Sequence, residues 1–260
     1  MDSTSQNSGY SFQAVIFDLD GVITKTASVH GRAWKAMFDE YLKVRESRDG
    51  EPFKEFTHKD DYLPFVDGKP RYEGVKSFLE SRGIHIPFGT PQDPPGKETV
   101  CGLGNKKNEK FEEVLRKEGV DVFPSTIRLI HELKEKGLHV GVASSSKNCQ
   151  LILQKIELES VVEARVDGVV SAKLGLKGKP EPDIFVTAAQ QMGCPVEKSI
   201  VVEDAVSGVA AGAKGKFGLV IGLARHQNQD QLKENGADIV LDDFGETTVD
   251  DLETWVRHKA

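Results

Sequence analysis

The 260-residue sequence predicts an α/β protein: a parallel sheet covered on both faces by helices, with a helical domain inserted after the first strand. Three observations carry that reading. Apolar, β-branched runs of strand length recur along the chain. From the second run onward they alternate with helix-length periods. Between the first and second runs, residues 26–118 show helical spacing and no convincing strand.

The first run is Phe12–Phe17 (FQAVIF), preceded by a small, polar stretch, Met1–Gly9, read as a loose tail. It ends abruptly in Asp18, Leu19, Asp20 and Gly21. Helical spacing follows at Val29–Tyr41, Tyr72–Ser81 and Asn108–Lys117, with Trp34 and Phe38 on one apolar face. Loops rich in proline, glycine and charge separate these helices, at Arg45–Asp61 and Ile86–Gly96 (IPFGTPQDPPG). The boundaries that follow are 1–25 and 119–260 for a discontinuous core and 26–118 for a helical cap, with two chain crossings as a hinge. The core resumes with a helix at Ser125–Lys136 and a strand at Leu138–Ala143. It continues with helix Lys147–Ile156, strand Arg165–Val170, helix Asp183–Met192 and strand Ser199–Val202. Helix Val206–Lys214 and strands Gly218–Ile221 and Asp238–Leu241 complete it.

Composition narrows the function. A formal net charge of −7 argues against nucleic acid as the main partner, so any bound anion must be held by local groups. No apolar run is long enough to span a bilayer, and no signal peptide is visible; a cytoplasmic protein with no membrane partner is expected. Cys101, Cys149 and Cys194 are scattered and odd in number, which gives neither a disulfide framework nor a zinc knuckle. Gly102 and Gly104 are only a fragment of a dinucleotide fingerprint, with no strand before them.

In parallel α/β sheets, ligands bind at the carboxyl ends of the strands, so the residues just after each apolar run matter most. After the first run stand Asp18 and Asp20, after Leu138–Ala143 stands Ser144, and after Ser199–Val202 stand Glu203 and Asp204. Lys179 sits in GKPEPDIF, ahead of a helix. Two carboxylates at the end of a buried strand repel each other and need a positive partner. Four carboxylates from two strand ends make an oxygen-rich site for a hard cation, best Mg²⁺. Ser144 and Lys179 would face it from the opposite side, with a hydroxyl and an ammonium for the oxygens of a phosphate. One carboxylate can then attack the phosphoryl group in line, and a second, two residues on, can move the proton.

DLDGVIT, the serine strand end, the lysine before proline and the Glu203–Asp204 pair together resemble the four motifs of the haloacid dehalogenase (HAD) superfamily. DLDGVITKTASVHGRAW, VASSSKN and GKPEPDIF are most similar to its β-phosphoglucomutase-like branch. The resemblance covers the core from Phe12 to about Val240 and implies a Rossmann-like HAD core with an inserted cap. It implies Asp18 as the nucleophile that forms an aspartyl phosphate, and Asp20 as general acid and base. It implies Mg²⁺ held by Asp18, the Asp20 backbone carbonyl, Glu203 and Asp204, with Ser144 and Lys179 on the transferring phosphate. Thr26 and His30 stand where the branch contacts the acid/base and the sugar, and Lys107 and Asn108 resemble its cap residues. Arg71, helped by Ser146, Lys147 and Asn148, is the candidate for holding a second phosphate. Lys25 departs from the branch, which commonly has an acidic residue there. The implied partner is a small-molecule sugar phosphate, handled by a monomer. The implied activity is interconversion of β-glucose 1-phosphate and glucose 6-phosphate, with hydrolysis of sugar phosphates as the alternative and a non-catalytic sugar-phosphate sensor third.

Overall fold

The computed structural model describes residues 9–225 and 227–259; the expected loose tail lies outside them apart from Gly9. The chain divides into two compact units, Met1–Lys25 with Val122–Ala260, and Thr26–Asp121.

The first unit is built on six strands: β1 (Ala14–Phe17), β2 (His139–Ala143), β3 (Ala164–Val166), β4 (Ser199–Glu203), β5 (Leu219–Leu223) and β6 (Ile239–Leu241). They form one sheet in the order β3-β2-β1-β4-β5-β6, with every neighbouring pair parallel. All four residues of β1 and all five of β4 and β5 are buried, as central strands covered on both faces must be. The direction of strand addition reverses at β1, which has β2 on one side and β4 on the other; this is the switch point where α/β sheets bind ligands. Phe17 pairs with both Val142 and Val202, so Asp18 is level with Glu203, and Ser144 lies one residue further on.

Helices in the order of the chain are α1 (Thr26–Asp49), α2 (Arg71–Ser81) and α3 (Val100–Glu118) in the second unit. The first unit carries α4 (Pro124–Glu135), α5 (Cys149–Lys155), α6 (Gly168–Leu174), α7 (Asp183–Gln191), α8 (Val206–Lys214), α9 (Gln229–Glu234) and α10 (Val249–Lys259). Ile184, Phe185 and Ala188 of α7 and Val209 of α8 join Ile16, Val201 and Val220 of the strands in one buried cluster. The chain's start is tied to its end: the Ser11 N–H and hydroxyl both donate to the Glu253 carboxylate of α10, each at 2.7 Å. The two crossings leave the first unit side by side, with Thr24 bridged antiparallel to Val122 and the Phe123 N–H donating to the Ile23 carbonyl at 2.9 Å.

The second unit has its own core. Phe38 of α1 stacks at 5.0 Å on Phe56 and packs at 4.1 Å on Phe78 of α2, with Trp34, Met37 and Leu103 around them. Burial of this many aromatic side chains is enough to organise a small helical body.

Three expectations about the elements change. Arg165–Val170 reads as a strand, but β3 ends at Val166 and α6 begins at Gly168. The Asp167 carboxylate accepts from the N–H groups of Val169 and Val170, both at 2.9 Å, and this N-cap overrides the β preference of the valines. Arg45–Asp61 reads as a loop, but α1 runs on to Asp49, because its last turns are charge-paired by Arg45 with Glu51 at 2.6 Å and Arg48 with Glu98 at 2.7 Å. Helix α3 starts at Val100 instead of Asn108, capped by the Thr99 hydroxyl, which accepts from the Gly102 N–H at 3.0 Å. Gly102 and Gly104 are helical here: a Cβ on either would overlap Lys97 or Tyr72, so these glycines serve close packing.

Candidate active site

The carboxyl ends of β1, β2 and β4 bring Asp18, Ser144, Glu203 and Asp204 together, and the segment before α7 adds Lys179. Asp18, Ser144, Lys179, Glu203 and Asp204 are all buried, whereas Asp20 is partly exposed. Lys179 Nζ donates to Asp18 Oδ1 at 2.5 Å and also to Glu203 Oε1. Glu203 Oε2 accepts from the N–H groups of Asp204 and Ala205, both at 2.8 Å. Lysine therefore bridges the carboxylates of two adjacent strands, where the sequence places it on the opposite side of the site. The Lys179–Pro180 peptide is cis.

The electrostatics follow from this burial. Desolvation raises the Asp18 carboxyl, Lys179 pulls it back down, and Glu203 and Asp20 raise it again; the net result lies well above the usual aspartate range. For Lys179, desolvation is outweighed by Asp18 and Glu203, which hold it firmly protonated. One ammonium thus faces more negative charge than it balances.

The turn after β1 is tightly specified. The Gly21 N–H donates to the Thr24 carbonyl at 2.7 Å, and Asp20 bridges to Thr24. Gly21 has φ +88°, and a Cβ there would overlap the Asp204 carboxylate. That carboxylate therefore rests against the turn that carries Asp20.

The donors implied for Mg²⁺ are Asp18, the Asp20 carbonyl, Glu203 and Asp204. All are hard oxygens on neighbouring strand ends, and the surplus negative charge around Asp18 suits a divalent cation. Among the described residues no three His, Cys, Asp or Glu side chains converge into a ready-made cage. A donor set that includes a backbone carbonyl is compatible with that, and the residues fit the ion in charge and chemical type.

Beyond β2, the Ser144 hydroxyl accepts from the Ser146 N–H at 3.1 Å, and the Ser146 hydroxyl accepts from the Asn148 N–H at 3.2 Å. The Gly168 N–H donates to the Ser146 carbonyl at 3.1 Å. Ser144, Ser146, Lys147 and Asn148 thus form one braced loop ahead of α5. Lys25, in the same unit, lies over the Phe123 ring at 5.6 Å.

The second unit holds the other candidates. Thr26 opens α1 and is buried. Lys107 is buried and lies 5.0 Å over Trp34 and 4.8 Å over Phe111, a cation–π setting that explains how an ammonium sits in an aromatic core. Lys107 Nζ is 2.5 Å from His30 Nδ1, and the His30 ring stacks on Phe111 at 4.0 Å. An ammonium can only donate, so Nδ1 accepts and the imidazole proton is assigned to Nε2. Arg71 Nη2 donates to Asn108 Oδ1 at 2.7 Å, and the Asn108 amide donates to Glu112 at 2.6 Å. Burial pulls the Arg71 pKa down.

Sequence reasoning missed Arg225. It is the first charged residue after the apolar run of β5, so the rule that found Glu203 and Asp204 also points to it. Arg225 Nε donates to the Gly21 carbonyl at 2.9 Å, and its guanidinium lies 3.6 Å over the Phe123 ring.

A family model described as haloacid dehalogenase-like hydrolase matches residues 12–216. A Mycobacterium bovis protein named Beta-phosphoglucomutase is 47% identical over 237 residues, 90% of this chain and 90% of that protein. A Bacillus subtilis protein of the same name is 32% identical over 251 residues, 95% of this chain and 97% of that one. The crystal structure of beta-phosphoglucomutase from Clostridium difficile superposes with a TM-score of 0.74 at 22% identity, covering 95% of this chain and 98% of that one, a likeness of fold. With the paired carboxylates, the strand-end serine and the lysine in place on a parallel sheet, the chain belongs to the haloacid dehalogenase-like hydrolase family.

Proposed function

We propose that this protein transfers a phosphoryl group on a sugar phosphate through an aspartyl phosphate on Asp18, as a β-phosphoglucomutase that interconverts β-glucose 1-phosphate and glucose 6-phosphate. Residues 1–25 and 119–260 act as the catalytic core, and 26–118 as the cap that selects the substrate. The single observation that carries the chemistry is the buried Asp18 carboxylate at the switch point, held by Lys179, with Asp20 two residues on. The mycobacterial relative, similar along nearly the whole chain, supports the choice of sugar phosphate.

In this reading Asp18 Oδ attacks phosphorus while the bond to the leaving oxygen breaks, and Asp20 gives that oxygen its proton. Ser144 and Lys179 hold the equatorial oxygens of the phosphoryl group. Asp18, the Asp20 carbonyl, Glu203 and Asp204 would hold Mg²⁺, which would supply positive charge to keep Asp18 ionised and offset the phosphate. Thr26, His30, Lys107 and Asn108 orient the sugar. Arg71 takes the second phosphate, helped by Ser146, Lys147 and Asn148. Arg71 suits that role because its guanidinium is held by the neutral Asn108 amide at 2.7 Å and keeps its positive charge for an anion. The second reading is a sugar-phosphate phosphatase, because the core performs the same first step for both and Lys25 departs from the mutase pattern.

Incubation with β-glucose 1-phosphate, Mg²⁺ and a trace of glucose 1,6-bisphosphate tests the proposal. Glucose 6-phosphate is the expected product. Free phosphate alone assigns the phosphatase, and neither product refutes both readings.

A further inference from the structure

We propose that Arg225 is a positioning residue for phosphoryl transfer: it clamps the Asp20–Gly21 turn and thereby holds Asp20 where its proton is needed. The inference rests on the reading of Asp20 as the proton donor, and it adds a residue outside the carboxylate, serine and lysine set.

Four contacts, all within the first unit, fix the guanidinium. Nε donates to the Gly21 carbonyl at 2.9 Å; Nη1 donates to the Asp242 carbonyl at 2.7 Å and to Asp243 Oδ2 at 3.1 Å; the plane lies 3.6 Å over Phe123. Its side chain is only 12% exposed. Asp243 is itself braced by the Gly245 N–H at 2.8 Å. One planar group therefore joins the turn after β1, the returning crossing at Phe123 and the loop after β6.

What this does to Asp20 follows from the backbone. Gly21 has its N–H on the Thr24 carbonyl and its own carbonyl on Arg225, so both peptide planes that flank it are held. A glycine at φ +88° has no side chain to hold it in place, and without the clamp the turn can relax to other backbone conformations. Asp20 immediately precedes it, so the direction of the Asp20 carboxylate depends on this turn staying where it is. Lysine cannot replace the clamp, because a single ammonium cannot serve two diverging loops while lying flat on a ring.

The step affected is the one in which the Asp18–phosphorus bond forms, the bond to the leaving oxygen breaks and that oxygen takes its proton from Asp20. A sugar leaving group needs the proton; acetate leaving from acetyl phosphate does not. The experiment follows phosphorylation of Asp18 by rapid quench for Arg225→Lys and Asp20→Asn with glucose 1,6-bisphosphate as the sugar phosphate and with acetyl phosphate, so that later removal of the phosphoryl group does not enter. Arg225→Lys is expected to lose about 10- to 100-fold in the limiting rate of phosphorylation by the sugar phosphate with the half-saturating concentration nearly unchanged, and about 3-fold or less with acetyl phosphate. Phe123→Leu removes the ring beneath the guanidinium and with it the longer contact of Lys25, for which Lys25→Ala is the control; it is expected to move the same ratio in the same direction where Lys25→Ala does not, which keeps the test decisive if Arg225→Lys fails to fold. Asp20→Asn selective for the sugar phosphate, with Arg225→Lys and Phe123→Leu losing the two activities in parallel or not at all, overturns the clamp. Asp20→Asn without selectivity overturns the reading of Asp20, and the inference with it.

Discussion

Replacing Lys179 with methionine keeps the volume of the side chain and removes the cation that bridges Asp18 and Glu203. Lys179 Nζ is 2.5 Å from Asp18 Oδ1, and its side chain is 2% exposed. At an effective dielectric of about 20 and a separation of about 4 Å between charge centres, two such pairs contribute about 8 kcal/mol, and desolvation of the ammonium offsets several of these. The remainder, about 3–5 kcal/mol, matches what breaking a buried ion pair typically costs, since two carboxylates are left uncompensated. Urea unfolding in a chelator at neutral pH measures it. The pH dependence has a definite sign. Asp18 titrates above its unfolded value, so between the ordinary aspartate range and that raised value the native state binds the extra proton, and stability falls as pH rises. Loss of Lys179 lifts Asp18 further, so the deficit of the variant should shrink as the pH is lowered. A deficit below about 1 kcal/mol, or one that is the same at pH 5.5 and 7.5, refutes the reasoning.

In the proposed mutase, Arg71→Ala would remove a charge-assisted contact of about 1.5–3 kcal/mol to the second phosphate, and should slow sugar-phosphate isomerisation by roughly one to two decades while release of free phosphate changes little. The ratio of the two products, by coupled assays, checks it; an unchanged ratio removes Arg71 from the second-phosphate site. Phe38→Ala, which opens the stack with Phe56 and Phe78, should destabilise by about 3–5 kcal/mol, read by thermal or urea unfolding. A loss near zero contradicts the packing described for that unit.

The strands of the core were legible because parallel strands are buried on both faces and read as unbroken apolar runs. Helix ends were harder. The four-residue register from Asp167 to Val170 shows why: β-branched residues favour a strand, and only the carboxylate that caps two N–H groups turns them into the start of a helix. Gly102 and Gly104 form only a fragment of a dinucleotide fingerprint in sequence, and their helical, close-packed role shows only in the fold, where α3 starts before them. Helix α10 was legible but not predicted: Asp250 and Asp251 stand in its first turn and Arg257, His258 and Lys259 in its last, the charges a helix dipole favours. In the site, the strand-end rule found the residues at β1, β2 and β4. It could not show that Lys179 lies between Asp18 and Glu203, because that depends on how the segment before α7 folds back across the sheet. Lys107 is a candidate by resemblance, but its burial was not legible, because its aromatic surroundings include Trp34, far off in sequence.

Acid quenching of the protein during turnover of β-glucose 1-phosphate or acetyl phosphate, followed by borohydride reduction and peptide mass spectrometry, tests the covalent step directly. The account predicts an acyl phosphate on Asp18 alone, reduced to the corresponding alcohol, in wild type and not in Asp18→Asn, whose turnover should fall by several orders of magnitude with its folding intact. A phosphoryl group trapped on another residue, or turnover by Asp18→Asn near that of wild type, contradicts it.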